Sequence, residues 1–102
     1  MNPFEIRSSA SEVEIKVLVK RLNVLVAESA KGQVKTEIPA GSSNIVVDLS
    51  GVDFADSVGL SILLTIQRQL PAGSPKVRLK GVQPQLQTVL QLANMSAYYD
   101  FV

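Results

Sequence analysis

The apolar positions of this chain follow two spacings in turn, one typical of strands and one typical of helices. Every second residue is apolar over most of residues 12–20, which predicts a half-buried strand. A short strand over residues 4–7 precedes it, so the two predict an initial hairpin. Apolar residues then recur three and four positions apart, which predicts a helix that Asn23 caps. The members of this helical stripe are Ala27, Ala30, Val34 and Ile38.

The second half of the chain continues this alternation of strand and helix. A β-branched run at residues 45–47 predicts a strand buried on both faces, and an apolar helix is predicted from Ser57. Residues 76–80 predict a short strand, Pro84 begins a helix, and residues 98–102 predict a last edge strand. This order predicts a small α/β layer fold, in which helices pack on a mainly parallel or mixed sheet of roughly four to five strands. The length of 102 residues fits a single domain over residues 1–102.

The composition excludes several classes of chemistry. The chain has no cysteine and no histidine, which excludes the usual zinc ligand sets, cysteine nucleophiles and a Ser-His-Asp triad. We therefore predict no catalytic residue, no metal site, no cofactor and no enzymatic activity. The net charge of +1 comes without a basic run, which argues against a nucleic-acid partner. No apolar run is long enough to insert into a membrane and no signal-peptide pattern is present, so we expect a cytoplasmic protein, monomeric when free.

Residues 48–70 form the one stretch to which a chemistry can be assigned. Its sequence is DLSGVDFADSVGLSILLTIQRQL, in which a strand ends near Asp48, a turn follows and Ser57 lies in the first turn of a helix. Backbone N–H groups in a first turn lack intrahelical partners and carry partial positive charge, so a phosphate on Ser57 would lie in a favourable field. The alternative is that Ser57 only caps the helix. Asp48 and Asp53 are interpreted as turn acids.

This stretch resembles the STAS domain, and within it the bacterial anti-sigma factor antagonists. The hallmark of that family is a hydrophobic strand ending in a D-L-S-like turn, followed by an apolar residue, D-S-S/T-G-L and an apolar helix. The resemblance is strongest over residues 45–70 and extends more loosely to residues 76–80, the helix from Pro84 and residues 98–102. It implies that Ser57 is phosphorylated by a partner that is both anti-sigma factor and serine kinase. The dephosphorylated form would bind this partner and free a sigma factor, and a metal-dependent, PP2C-type phosphatase would reset the switch.

The resemblance also implies which residues surround the phosphorylation site. Its neighbours are Asp56, Gly59 and Leu60; Asp56 is either a turn residue or a group that positions the hydroxyl, and Gly59 allows a helix to pack closely on the sheet. Arg68 is expected to approach the phosphate. The face that carries Val58 is either solvent surface or part of the partner interface. The predicted partner interface consists of Val58, Ser61, Thr65, Arg68, Arg21 and Asn23.

Two departures from the family pattern leave a second function open. Val58 stands where the family usually has a second serine or threonine, and residues 20–23 lack the glycine and the acid of the family's G-R/E-L-D. The alternative is a STAS subunit of a lipid-transporting ABC system, which would bind its ATPase without being phosphorylated. An enzyme that uses Ser57 as a nucleophile is not supported, because the chain offers no suitable base.

Overall fold

The computed structural model describes residues 2–39 and 41–102, and its elements follow the predicted order. The strands are β1 (Phe4–Ser8), β2 (Val13–Val17), β3 (Arg21–Leu22), β4 (Ile45–Asp48), β5 (Phe54–Ala55), β6 (Val77–Lys80) and β7 (Tyr99–Phe101). The helices are α1 (Val24–Glu37), α2 (Ser57–Gln67) and α3 (Pro84–Leu92), with a 3₁₀ turn at Ser96–Tyr98. The predicted α/β fold, its helices and its initial hairpin are confirmed. The short strands β3 and β5 were not predicted.

Five strands form one sheet in the order β1-β2-β4-β6-β7. β1 and β2 are antiparallel, and every other neighbouring pair in this sheet is parallel. From β2 onwards each connection moves one place in the same direction, so right-handed crossovers put all three helices on the same face. The molecule therefore has two layers, which agrees with its flat shape of 33 × 30 × 19 Å.

The hydrophobic core fills the space between the helices and one face of the sheet. Alternate strand residues such as Ile15, Val47 and Leu79 are fully buried in it. Both predicted apolar stripes of the helices point into the same core. The buried residues of α1 include Ala27, Ala30 and Val34, and those of α2 are Gly59, Leu60, Ile62, Leu63 and Ile66.

The opposite face of the sheet carries charged residues in two rows of alternating sign. The strand register places Arg7, Glu14, Val46, Arg78 and Asp100 in one row, and Glu5, Lys16, Asp48 and Lys80 in the other. Opposite charges on neighbouring strands favour this arrangement. Val46 is only 6% exposed although it lies outside the core cluster, so the aliphatic stems of its neighbours cover it. The prediction that β4 is buried on both faces is confirmed, but charged side chains supply the second cover in place of a helix layer.

Among the described residues, Gln33 is the polar residue whose side chain is buried. The sequence pattern did not single it out. Its Oε1 accepts a hydrogen bond from the Phe4 N–H at 3.0 Å, and its Nε2 donates to the Phe4 carbonyl at 2.9 Å. Both bonds run from α1 to the outer edge of β1, where the backbone groups would otherwise lack a partner. Gln33 thus ties the first strand to the helix layer.

Tyr99 is buried in β7, and among the described residues its hydroxyl has no hydrogen-bond partner. A buried hydroxyl that gains no hydrogen bond costs stability, because it gives up its bonds to water. We therefore expect Tyr99→Phe to raise the free energy of unfolding by about 1 kcal/mol in urea titrations at neutral pH. The matched control is Tyr98→Phe, which changes a half-exposed ring and should leave the stability unchanged. A stability loss confined to Tyr99→Phe would contradict this expectation.

The burial of Tyr99 also makes the stability of the protein depend on pH. Burial, with a smaller contribution from Tyr98, raises the pKa of the Tyr99 hydroxyl well above its ordinary value of 10.0. A group whose pKa is raised by folding contributes stability that is fully present below its unfolded pKa and is lost as the pH rises above it. The wild-type protein should therefore lose more stability above pH 10 than Tyr99→Phe does.

Candidate functional site

The starts of α1 and α2 lie side by side because a pair of very short strands carries them. β3 and β5 run parallel, with Arg21 opposite Phe54 and Leu22 opposite Ala55. The next residue after each strand caps the helix that follows. Two helix N-termini, each with a partial positive charge, therefore meet at one edge of the molecule.

Asp56 caps α2, and Ser57 is the first residue of the helix proper. The Asp56 Oδ1 accepts a hydrogen bond from the Gly59 N–H at 2.8 Å, and the Asp56 backbone is extended, as an N-cap requires. The alternative that Ser57 serves as the cap is therefore wrong. The Ser57 side chain is exposed, and its hydroxyl takes part in no hydrogen bond within residues 2–39 and 41–102. This hydroxyl is accessible to a modifying enzyme.

Gly59 lets the first turn of α2 lie directly on the backbone of β3. A Cβ atom at Gly59 would lie 2.0 Å from the Leu22 carbonyl oxygen and 2.7 Å from its carbonyl carbon. The same carbonyl accepts a hydrogen bond from the Asp56 N–H at 3.2 Å. The prediction that this glycine allows close packing is confirmed, with the short strand β3 as the contact. Leu60, the other predicted neighbour, is buried in the core.

The exposed face of α2 next to Ser57 carries small side chains whose hydroxyls point back to the helix. The Ser61 hydroxyl donates to the Val58 carbonyl at 2.6 Å, and the Thr65 hydroxyl donates to the Ser61 carbonyl at 3.0 Å. Val58, Ser61 and Thr65 are all half-buried. Because the hydroxyls of Ser61 and Thr65 are already bonded to the helix backbone, the three side chains present a surface of low polarity.

Arg68 does not lie near Ser57. It is the C-cap residue of α2, a helix of 11 residues, and a helix of that length is about 16 Å long. The expectation that Arg68 approaches a phosphate on Ser57 is therefore wrong. The two residues share a side of the helix but lie at its opposite ends.

Exposed apolar residues lie at and near the start of α1. Leu25 is 87% exposed and Val24 is 66% exposed, and together they begin α1. Leu18, 51% exposed, lies just before β3 and donates its N–H to the carbonyl of Pro3, which lines a cleft together with Leu25. The exposed apolar pair Val24 and Leu25 is therefore a feature of the first turn of α1. Sequence reasoning missed it, although two apolar residues directly after a cap were a visible signal.

The remaining predicted residues lie around the same edge. The Asn23 Oδ1 accepts from the Leu25 N–H at 3.0 Å, so the prediction that Asn23 caps α1 is confirmed. Arg21 is exposed in β3 and lines a shallow cleft with Asp53 and the half-exposed Phe54. Arg21, Asn23, Val58 and Ser57 thus belong to one end of the molecule.

Asp48 is a turn acid, as predicted. Its Oδ1 accepts a hydrogen bond from the Ser50 N–H at 2.9 Å. Burial opposes its ionisation, but the bonds from Ser50 and the charges of Lys80 and Lys16 outweigh burial and lower the pKa of the Asp48 carboxyl below its usual range. Within residues 2–39 and 41–102, no cluster of three or more acidic residues is placed to hold a metal ion. In the same part of the chain, none of the helices combines the length and apolar character needed to cross a membrane.

Comparison with known proteins gives one family and a consistent fold. A family model described as Mlab, STAS domain, matches residues 10–101. An anti-sigma-factor antagonist (STAS) domain protein from Planctomyces limnophilus has a similar structure, with a TM-score of 0.82 and 20% identity over 100% of this chain and 90% of that chain. Comparison with curated protein sequences gives no match.

Two further solved proteins share the fold. The anti-sigma factor antagonist SpoIIAA in its unphosphorylated form gives a TM-score of 0.72 and 21% identity over 97% of this chain and 86% of that chain. The phosphorylated form of SpoIIAA, a Bacillus cell fate determinant, gives a TM-score of 0.70 and 20% identity over 97% of this chain and 90% of that chain. A sulfate transporter family protein from Wolinella succinogenes gives a TM-score of 0.71 and 16% identity over 91% of this chain and 78% of that chain. At these identities the likeness is one of fold.

Proposed function

The chain belongs to the STAS family, and on that premise we propose that it is a binding module controlled by phosphorylation. Its unphosphorylated form binds an anti-sigma factor that is also a serine kinase, and so releases a sigma factor. Phosphorylation of Ser57 switches this binding off, and a PP2C-type phosphatase restores it. The observation that carries the proposal is the exposed Ser57 hydroxyl, which makes no hydrogen bond to the described residues because Asp56 has the capping role.

The position of Ser57 makes a phosphate tolerable within the folded protein. A phosphate adds about −1.5 to −2 charges and three acceptor oxygens. At this position it would lie next to the N-terminus of α2 and beside that of α1, so the partial positive charges of two helices favour it. The fold has no need to rearrange when the phosphate is added.

The same phosphate is unfavourable once a partner covers Ser57. A dry interface removes the water that would solvate the new charges, and the adjacent Asp56 carboxylate repels them. Val58, Ser61 and Thr65 offer a smooth face against which a partner packs closely, with Arg21 and Asn23 at its border. The switch then acts by blocking an interface.

The solved forms of SpoIIAA support this reasoning by analogy. Its phosphorylated and unphosphorylated structures resemble this chain to nearly the same degree, with TM-scores of 0.70 and 0.72. A fold of this type therefore accommodates both states without a change of architecture.

The direct test is phosphorylation in vitro. The protein is incubated with ATP and a purified anti-sigma serine kinase, and its intact mass and peptide fragments are measured. We expect a single added phosphate located on Ser57, absent in Ser57→Ala and retained in Ser61→Ala. The Ser61 variant is the matched control, because its hydroxyl lies one turn further along the same helix and is already bonded to the Val58 carbonyl. A phosphate that persists in Ser57→Ala, or none on the wild-type protein, would contradict the proposal.

A second candidate is an accessory subunit of an ABC-type lipid transport system that binds the ATPase without phosphorylation. One observation favours it: Val58 lacks the hydroxyl that is usual at that position in the antagonists. The two candidates differ in how they respond to a charge at Ser57. If the wild-type protein and Ser57→Asp bind a purified ABC ATPase with the same affinity, the result supports the role as a transporter subunit.

A further inference from the structure

We infer that the outer edge of β1 is an interface at which two copies of this chain pair, so that their two sheets join into one. The two β1 strands run antiparallel about a two-fold axis, with Ile6 of each copy opposite Ile6 of the other. The inference goes beyond the proposed function and does not rest on it, because it concerns β1, whereas Ser57 lies in α2. It departs from the expectation of a monomeric free protein, which rests on the sequence alone.

β1 leaves backbone groups without partners along its outer edge. In an antiparallel strand, successive residues point their backbone groups alternately towards the neighbouring strand and away from it. Phe4 points away from β2, because its N–H and its carbonyl both bond to the Gln33 side chain of α1, and Ile6, two residues further on, points the same way. Within residues 2–39 and 41–102, neither backbone group of Ile6 forms a hydrogen bond. Such an edge is a template for a further strand.

The charges of β1 select one register for this pairing. With Ile6 opposite Ile6, Glu5 of each copy lies opposite Arg7 of the other, and the two-fold symmetry makes this contact twice. A register centred on Glu5 or on Arg7 instead places like charges opposite each other, which is destabilising. Glu5 and Arg7 already form an exposed ion pair at 2.8 Å within the strand. The dimer therefore joins two ion pairs into a ring of four alternating charges.

Gln33 limits the pairing to the middle of the strand. Because it occupies both backbone groups of Phe4, only Ile6 and Ser8 remain open on the outer side. In the register above, the two Ile6 residues exchange a pair of backbone hydrogen bonds, whereas Ser8 faces the blocked Phe4 of the second copy. The partly buried Ile6 side chain also gains apolar cover from its counterpart. The contact is short, so we expect a weak dimer that forms reversibly at high protein concentration.

β7, the strand at the other edge of the sheet, lacks this self-complementarity. Its one charged residue is Asp100, so an antiparallel pairing centred there places two aspartates opposite each other. Asp100 is exposed, and the strand register places it in the same row of the open face as Arg7. The two edges therefore differ in charge pattern, and Asp100 provides a matched control for β1.

The test is sedimentation equilibrium of the full chain and its variants over a wide range of protein concentration at low ionic strength. Glu5→Arg and Arg7→Glu each place like charges at both contacts, and we expect each to raise the dissociation constant of the dimer at least about tenfold. Asp100→Arg changes the net charge as much as Glu5→Arg does, but at the other edge of the sheet. Its dissociation constant should stay within about twofold of the wild-type value.

An equimolar mixture of Glu5→Arg and Arg7→Glu tests the register itself. In a mixed dimer each arginine of one copy lies opposite a glutamate of the other, so the mixture should dimerise at least as well as the wild-type protein. Recovery in the mixture also shows that both variants are folded. As a second readout, the Ile6 amide should exchange its hydrogen with solvent more slowly as the wild-type concentration rises.

Three results would overturn the inference. The first is a wild-type protein that remains monomeric at the highest concentration. The second is a dimer that Glu5→Arg leaves intact, or that Asp100→Arg weakens as much as Glu5→Arg does, because the contact then lies elsewhere. The third is a mixture that stays monomeric although urea titrations show both variants to be folded. None of these results bears on phosphorylation of Ser57, so the proposed function succeeds or fails separately.

Discussion

Ser57→Asp is expected to weaken binding to the anti-sigma kinase by about 100-fold, which corresponds to about 2.7 kcal/mol. The carboxylate would lie next to Asp56 at the proposed interface, where desolvation and repulsion act together. The fold itself should be unharmed, because a negative charge in the first turn of a helix is stabilising, typically by about 0.3–1 kcal/mol. The measurement is a titration by calorimetry or fluorescence anisotropy, paired with urea unfolding.

The matched control is Ser8→Asp. Ser8 is an exposed serine at the end of β1 that pairs with the start of β2, which is the opposite end of the sheet from Ser57. Both variants change the net charge equally, so a general electrostatic effect would appear in both. Equal affinity of Ser57→Asp and wild type would refute the switch, and equal losses in the two variants would refute its location at Ser57.

Gly59→Ala is expected to lower the free energy of unfolding by about 2–3 kcal/mol. The new Cβ would lie 2.0 Å from the Leu22 oxygen, 2.7 Å from its carbonyl carbon and 2.9 Å from its Cβ, so backbone must move. The intrinsic helix preference of alanine, up to about 1 kcal/mol over glycine, offsets only part of this strain. For a domain of about 100 residues the loss corresponds to a fall in Tm of roughly 10–20 °C.

Gly32→Ala is the control with the opposite sign. Gly32 lies within α1, and among the described residues no atom beyond its own stretch of helix lies within 4 Å of a Cβ placed there, so the helix preference acts without opposing strain. We expect this variant to gain about 0.5–1 kcal/mol, measured by the same urea titration. If the two alanine variants changed the free energy of unfolding equally, the contact between Gly59 and Leu22 would not be the reason why position 59 requires glycine.

The sequence predicted those features that depend on spacing within one element. Period two and period 3.6 located the strands and helices, and the run from Asp48 into the following helix located the candidate site. Both Asp56 and Ser57 favour cap positions, so local preference alone could not choose between them. The structure resolves this because the Asp56 carboxylate reaches the Gly59 N–H three residues ahead.

The features that were missed depend on contacts between distant segments. β3 and β5 are two residues each, too short to show a period, and they exist because they pair with one another. Gln33 is a polar residue of a helix, and its burial follows from its bonds to Phe4, which lies in another element. Arg68 was misplaced because a projection down the helix axis shows angle and omits distance along the axis.

The one-directional order of the sheet has a consequence for how the chain folds. Each long strand pairs with the next long strand along the chain, so every pairing closes around a single hairpin or a single helix. The parallel pairings nevertheless join residues far apart along the chain, such as Val13 with Ile45, and pairings of this kind form more slowly than local contacts. In the last unit, β7 pairs with β6 alone among the described strands, whereas α3 also contacts β5. A local unfolding event that releases α3 would therefore remove a neighbour of β5 and loosen the edge that holds Ser57.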